Sequence, residues 1–277
     1  MLMKNLLHKS LAIVIATGVL FFVSCQGGNK SGNQAQTAAD SANVKDISQN
    51  VKEVVYPLPT PFEMTKMLNT IGVGYSSAIL NPVDKAEKYF TDKSKAVNLG
   101  VYGADVAYAA TYDQKQDVKL YLKALKTIVD QLGININYDK MLSDEFKEKV
   151  NNKDTLIKII TDTYYQTYRD LRSKGNQELS AMMVTGMWVE VMYIATNISK
   201  DSYNNPEIVK LIAKQKDSYL KLLEILTSLD KNKDIKDLEN KFMILKPVYD
   251  KVDQGLYQKD YQLILKTIQD VRKSFVS

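Results

Sequence analysis

The chain has almost none of the residues on which most nucleophilic and metal-dependent enzymes rely. Its 277 residues include one histidine, His8, and one cysteine, Cys25. Residues beyond position 25 therefore cannot supply a Ser-His-Asp or Cys-His triad, or a histidine-ligated zinc, copper or haem site. An enzyme would have to work with carboxylates, lysine, tyrosine or serine. We interpret the chain as non-catalytic and expect it to hold no metal and no cofactor.

Arginine is also scarce, which bears on nucleic-acid binding. The chain has 37 basic and 32 acidic residues, and the arginines are Arg169, Arg172 and Arg272. Lysines alternate with aspartates and glutamates, as in DKNKDIKDLENK, whereas a nucleic-acid site concentrates basic residues in one stripe. The pattern is typical of a solvated helical surface, and we expect no nucleic-acid partner.

The N-terminal segment has the composition of a signal peptide. Lys4 and Lys9 precede an apolar run, Leu11–Val23, of about 13 residues. A bilayer-spanning helix needs roughly 20 residues, so this run is too short to span a membrane. A short positive region followed by such a run is instead typical of an export signal.

The apolar run ends in FVSC, which resembles the lipobox of bacterial lipoproteins. Ser24 fits the small residue before the cysteine, and Phe22 stands where that family usually has leucine. The resemblance covers only the first 25 residues. It implies removal of residues 1–24, attachment of diacylglycerol and an acyl chain to Cys25, and a protein anchored by lipid to the cell envelope. Several acyl chains together give stable anchoring where one alone is marginal.

The stretch after the cysteine reads as a tether. Residues 25–58 include QGGNKSGNQAQTAADSAN, which has too little apolar surface to offset its chain entropy and should be disordered. About 30 such residues would reach roughly 30 Å. The residue after the cysteine is Gln26 rather than aspartate, which by the same resemblance implies the outer membrane in an organism with two membranes.

Residues 59–277 are predicted to form one all-α domain. Apolar residues recur at helical spacing, and no strand-period run of useful length is present. We predict a single bundle or array of eight or nine helices. They lie at about 60–79, 91–112, 114–132, 140–150, 155–173, 177–198, 205–229, 238–252 and 257–275.

Two of these helices should be central to the domain. Residues 96–112 and 179–196 are apolar on every side and carry one charge each, Asp105 and Glu190. Such a helix is buried on all sides, or it spans a membrane, although the acid disfavours lipid. Aligning the two helices on their acids also aligns several tyrosines and alanines. This suggests a weak internal duplication of helical hairpins, which chance similarity between apolar helices would also explain.

A buried carboxylate needs a partner or must be neutral, and this requirement defines the candidate site. Arg169 and tyrosine hydroxyls are the partners that the sequence suggests. Three interpretations remain open: a structural polar network, a tyrosine-lined pocket for a small ligand, and a catalytic carboxylate pair of the kind used in glycoside hydrolysis. If the acids are structural, Asp105→Asn should lower the thermal stability. The candidate residues are Asp105, Glu190, Arg169, Tyr102, Tyr108, Tyr112, Trp188 and Tyr193.

The sequence therefore predicts an exported, lipid-anchored, all-α protein that acts by binding. Its partner would be the membrane through the lipid, together with an envelope protein or a small molecule. A ligand-binding protein with a tyrosine and carboxylate pocket is the first alternative, and a carboxylate-dependent hydrolase is the second.

Overall fold

The computed structural model describes residues 61–143, 152–199, 202–229 and 232–277, and within them all regular structure is helical. The prediction of an all-α domain is thus confirmed. All described residues belong to one compact unit, residues 48–277. The predicted signal peptide, Cys25, the tether and most of the helix predicted at 140–150 lie outside the described residues.

The helices are numbered here in chain order. Short 3-10 helices lie at Ser77–Ile79, Val83–Lys88, Ser202–Asn204 and Val252–Gln254. The α-helices are α1 (Pro61–Thr70), α2 (Asp92–Thr111), α3 (Lys115–Gln131), α4 (Tyr138–Leu142), α5 (Lys153–Ser173), α6 (Gln177–Asn197), α7 (Pro206–Ala213), α8 (Lys216–Ser228), α9 (Lys233–Met243), α10 (Lys246–Lys251) and α11 (Gln258–Val276).

Three predicted helices are shorter or divided in the structure. The first was predicted to continue to residue 79 but ends at Thr70, because Gly72 takes a φ of 81° that a right-handed helix cannot contain. The helix predicted at 205–229 is split into α7 and α8. The helix predicted at 238–252 begins earlier, where the Asn232 side chain accepts a hydrogen bond from the Ile235 amide at 3.1 Å. It is divided before Pro247, the residue at which its sequence predicts a kink or a division.

Local capping explains both ends of α2. The side chain of Thr91 accepts a hydrogen bond from the Ser94 amide at 3.0 Å, and the Ser94 hydroxyl oxygen accepts one from the Thr91 amide at 3.1 Å, which forms a capping box. At the other end Asp113 adopts a left-handed φ of 56°, and its amide donates to the Ala110 carbonyl. Asp113 thus closes α2, and Gln114 precedes α3.

The two apolar helices form the centre of the domain. Beyond the first turn of each helix, nearly all residues of α2 and α6 are buried. By length and composition α6 could cross a membrane, but 89% of its most apolar stretch is buried by neighbouring helices of the described chain. The other long helices pack around this pair, and α11 contacts both of its members.

The central helices touch backbone to backbone at two glycines. A Cβ atom on Gly100 would lie 1.9 Å from the Met183 carbonyl oxygen, and one on Gly186 would lie 1.9 Å from the Val97 carbonyl oxygen. Gly186 therefore relates to Val97 as Gly100 relates to Met183. Contacts that exchange in this way give the pair a local two-fold relation, in which Gly100 corresponds to Gly186. This register differs by one residue from the alignment on the two acids, which pairs Gly100 with Thr185.

The central helices also run in the same direction. Val97 faces Gly186, and Asp105 meets Glu190 further along both helices. In an antiparallel pair these two acids would lie on opposite sides of the crossing, because each residue advances a helix by 1.5 Å. The parallel arrangement is what places the two central charges side by side.

Candidate functional site

Three helices bring a charged cluster into the core, which we call the acid–arginine cluster: Asp105 from α2, Glu190 from α6 and Arg272 from α11. The side chains of Asp105 and Glu190 are both 0% exposed, and the Arg272 side chain is 11% exposed. The Arg272 Nε donates to Glu190 Oε2 at 2.6 Å, and its Nη2 donates to Oε1 at 2.7 Å. This two-pronged pairing is the strongest geometry available to an arginine and a carboxylate.

Two further contacts hold the guanidinium of Arg272. Its Nη2 also donates to the Ile79 carbonyl at 3.2 Å. Its central carbon lies 3.9 Å from the ring centroid of Tyr193, which is a cation–π contact. Arg272 therefore joins α11 to α6 and to the segment between α1 and α2.

Asp105 has a different environment from Glu190. Its Oδ2 accepts a hydrogen bond from the backbone amide of Asn81 at 3.2 Å. No described cation makes an ion pair with Asp105. Its Oδ1 finds no donor among the described residues. The carboxyl nevertheless lies within hydrogen-bonding reach of Glu190. Because two carboxylates are both acceptors, this contact becomes a hydrogen bond only when one of them carries a proton.

The proton belongs on Asp105. Burial raises the pKa of Asp105 well above its usual range, and the neighbouring Glu190 raises it further, while Arg272 and the Asn81 amide act in the opposite direction. Burial raises the pKa of Glu190 as well, but the direct contact with Arg272 opposes this. The cluster is therefore best described as a neutral Asp105 that donates to Glu190, whose negative charge is balanced by Arg272. One buried charge of each sign then remains.

The predicted tyrosines hold the backbone between α1 and α2 instead of binding the acids. The hydroxyl of Tyr102 donates to the Pro82 carbonyl, and that of Tyr112 donates to the Val73 carbonyl, each at 2.8 Å. The hydroxyl of Tyr108 accepts from the Ser76 amide at 3.0 Å. These three hydroxyls fasten the irregular segment 71–91 along α2. That segment in turn supplies the Asn81 amide and the Ile79 carbonyl to the cluster.

The other candidate residues are separated by the structure. Tyr193 lies against Arg272, as described. Trp188 packs on Phe242 and Tyr219, with ring centroids 5.6 and 6.2 Å away. Arg169 forms no ion pair with a described residue. Arg272 instead pairs with a central acid, the role that the sequence suggested for Arg169.

Arg272 is the functional residue that sequence reasoning missed. It stands beside Val271 and three residues before Phe275, both of which belong to the buried stripe of α11. Arg169 similarly stands beside the buried Tyr168 and near Leu171 on α5. The local sequence pattern therefore does not favour either arginine over the other as the partner of a central acid. Only the packing of α11 across the central pair distinguishes them.

The cluster is poorly suited to catalysis. Glycoside hydrolysis places its two carboxyl groups about 5 Å or more apart, so that a sugar carbon or a water lies between them. Here the carboxyls are in hydrogen-bonding reach of each other and have no solvent exposure. A substrate could reach them only if the tyrosine-fastened segment 71–91 opened. The arrangement instead neutralises internal charge and links three helices.

Replacing Asp105 with asparagine is expected to increase stability progressively as pH rises, relative to the unmodified protein. A carboxyl whose pKa is raised by folding keeps its proton in the folded state, while the unfolded chain loses it above the usual aspartate range. Between those two pKa values, each rise in pH favours the unfolded state of the unmodified protein. An asparagine amide donates to Glu190 at every pH and accepts from the Asn81 amide.

Thermal unfolding of both proteins from acidic to mildly alkaline pH measures this effect. The difference in Tm, variant minus unmodified, should be smallest at acidic pH and increase with pH. The sequence alone predicted that Asp105→Asn would lower the stability. Because Asp105 shares its proton with Glu190, the variant is instead expected to gain stability relative to the unmodified protein as pH rises. A variant that is equally destabilised at every pH would show that Asp105 is ionised in the folded protein.

The described residues contain no group of three or more histidine, cysteine, aspartate or glutamate side chains placed to hold a metal. Comparison with known proteins adds no family: no protein-family model, no curated protein and no solved structure matches this chain.

Proposed function

We propose that this chain is an exported lipoprotein, anchored to the cell envelope through Cys25, whose helical body acts by binding a partner. The observation that carries the proposal is the order of segments at the N-terminus. Two lysines, a short apolar run, FVSC and a polar stretch rich in glycine, serine, asparagine and glutamine follow one another. This order is typical of a cleaved export signal, a lipidation site and a tether. The outer membrane is the proposed location, on the basis of Gln26.

The geometry of the acid–arginine cluster supports a binding role over a catalytic one. The charges in the buried middle of the two central helices, Asp105 and Glu190, are turned inward and neutralised, so they are not available to a substrate at the surface. The hydroxyls of Tyr102, Tyr108 and Tyr112 are engaged with the backbone. Each of these three hydroxyls of the pocket proposed from the sequence therefore already has a backbone partner.

Metabolic labelling tests the anchor. The chain is expressed in its own host with an alkyne-bearing palmitate, and the wild-type protein should carry the label and sediment with membranes. Cys25→Ser should carry no label and retain its signal peptide. Ser24→Gly is the matched control, because it keeps a small residue before the cysteine and should be labelled normally. Wild-type protein without label, or a label that survives Cys25→Ser, would refute lipidation at this residue.

A further inference from the structure

A second interior space lies beside the central helices, and none of the acid–arginine cluster lines it. Its walls come from the helices α1 to α6 and are almost entirely apolar. Three methionines, Met141, Met183 and Met187, line it together with leucine, isoleucine and aromatic side chains. We call it the methionine cavity. An apolar space between helices with very few polar groups is the usual form of a small-molecule site.

The methionine cavity is narrow with its side chains as they stand. It encloses about 560 Å³ when its open mouth is included, but only about 20 Å³ of this is free for water, which is room for about one molecule. A larger guest must move side chains aside. Methionines suit this requirement, because their unbranched, polarisable chains repack at low cost.

One polar group in this cavity has no partner. The hydroxyl oxygen of Tyr164 is buried and makes no hydrogen bond with any described residue. Its ring packs toward Gly103 of α2, where a Cβ atom would lie 3.4 Å from the ring. Burial raises the pKa of Tyr164 well above its usual range, so the hydroxyl keeps its proton and can donate. A buried donor without an acceptor is costly, and native structures rarely leave one.

We propose that the methionine cavity binds a small apolar molecule that carries one hydrogen-bond acceptor, to which Tyr164 donates. The apolar walls would take the hydrocarbon part of the guest, and the phenol would take a carbonyl or ether oxygen. The two threonines that line the cavity do not offer a second free hydroxyl donor, because their hydroxyls already have partners. Thr163 contacts the Met141 sulfur at 3.7 Å, and the Thr161 hydroxyl donates to the Ile157 carbonyl at 2.9 Å. The proposal is independent of the lipid anchor and of the proposed binding of an envelope protein.

The test uses acetophenone and cumene, which have similar shapes but differ in the presence of a carbonyl oxygen. Protein labelled with ¹³C on the methionine methyl groups is titrated with each probe and followed by NMR. Single Met→Leu variants assign the three lining methyls. Both probes should shift the signals of Met141, Met183 and Met187. In Tyr164→Phe, the affinity for acetophenone relative to cumene should fall about five- to tenfold, the effect of losing one hydrogen bond.

Tyr138→Phe is the matched control, since Tyr138 also lines the cavity but its hydroxyl is paired with Thr167. This variant should keep the wild-type preference for acetophenone and lose stability, whereas Tyr164→Phe should gain stability because it removes an unpaired donor. Unmoved signals from the three methyls with both probes would overturn the proposal. An acetophenone preference that survives Tyr164→Phe would also overturn it.

Discussion

Replacing Arg272 with methionine is expected to lower the free energy of unfolding by about 3–5 kcal/mol, the usual cost of removing one partner of a buried ion pair. The reason is the environment left behind. Glu190 would remain fully buried beside Asp105 without a cation, and α11 would lose its ion pair with α6. Methionine preserves the aliphatic stem and the helix propensity, so the loss reports charge compensation. Chemical denaturation at neutral pH measures it.

Arg169→Met is the matched control, because Arg169 makes no ion pair with a described residue. It should change the free energy of unfolding by less than about 0.5 kcal/mol. The deficit of Arg272→Met should also shrink at acidic pH. Glu190 without its arginine has a raised pKa in the folded state, and the penalty disappears once the unfolded chain is protonated too. Equal losses from both variants, or a loss that does not vary with pH, would contradict the role assigned to Arg272.

Gly186→Ala is expected to lower stability by more than about 3 kcal/mol, because its added methyl would lie 1.9 Å from the Val97 carbonyl oxygen. No rotamer change can relieve a clash between Cβ and backbone, so α2 and α6 would have to separate along their contact. That separation would disturb the packing of Asp105 against Glu190. Gly100→Ala should behave in the same way, since it meets the Met183 carbonyl at the equivalent position.

Gly103→Ala provides the control on the same helix as Gly100. Its Cβ atom would meet only the Tyr164 ring, at 3.4 Å, which is an ordinary contact. Alanine favours a helix over glycine by about 1 kcal/mol, so this variant should be neutral or slightly stabilising. Thermal unfolding of Gly186→Ala, Gly100→Ala and Gly103→Ala measures the three effects on stability. If Gly103→Ala were as damaging as Gly186→Ala, the close approach of the backbones would not be the cause.

The sequence predicted the central helices well because burial leaves a strong local signal. A helix with one charge among about 17 residues can lie only in a core or a membrane, and Asp105 and Glu190 were identified on that basis. These features depend on residues within one helix.

Features that depend on distant packing were not predicted. Arg272 and Arg169 have similar neighbours along their own helices, so no local pattern shows which one crosses to Glu190. The tyrosines of α2 were correctly placed on a buried helix, but their partners are backbone groups of the segment 71–91, which carry no side-chain signature. The end of α1 was misplaced because the apolar spacing continues beyond Gly72, whose backbone turns out of the helix.

We expect Asp105 to be protonated in the folded protein at neutral pH and to donate a hydrogen bond to Glu190. Infrared spectroscopy measures it directly, because the carbonyl stretch of a protonated carboxylic acid is separate from the bands of carboxylates and amides. If Asp105 is protonated, such a band should be present in the unmodified protein at neutral pH and absent in Asp105→Asn. A spectrum in which every carboxyl is ionised at neutral pH would contradict it.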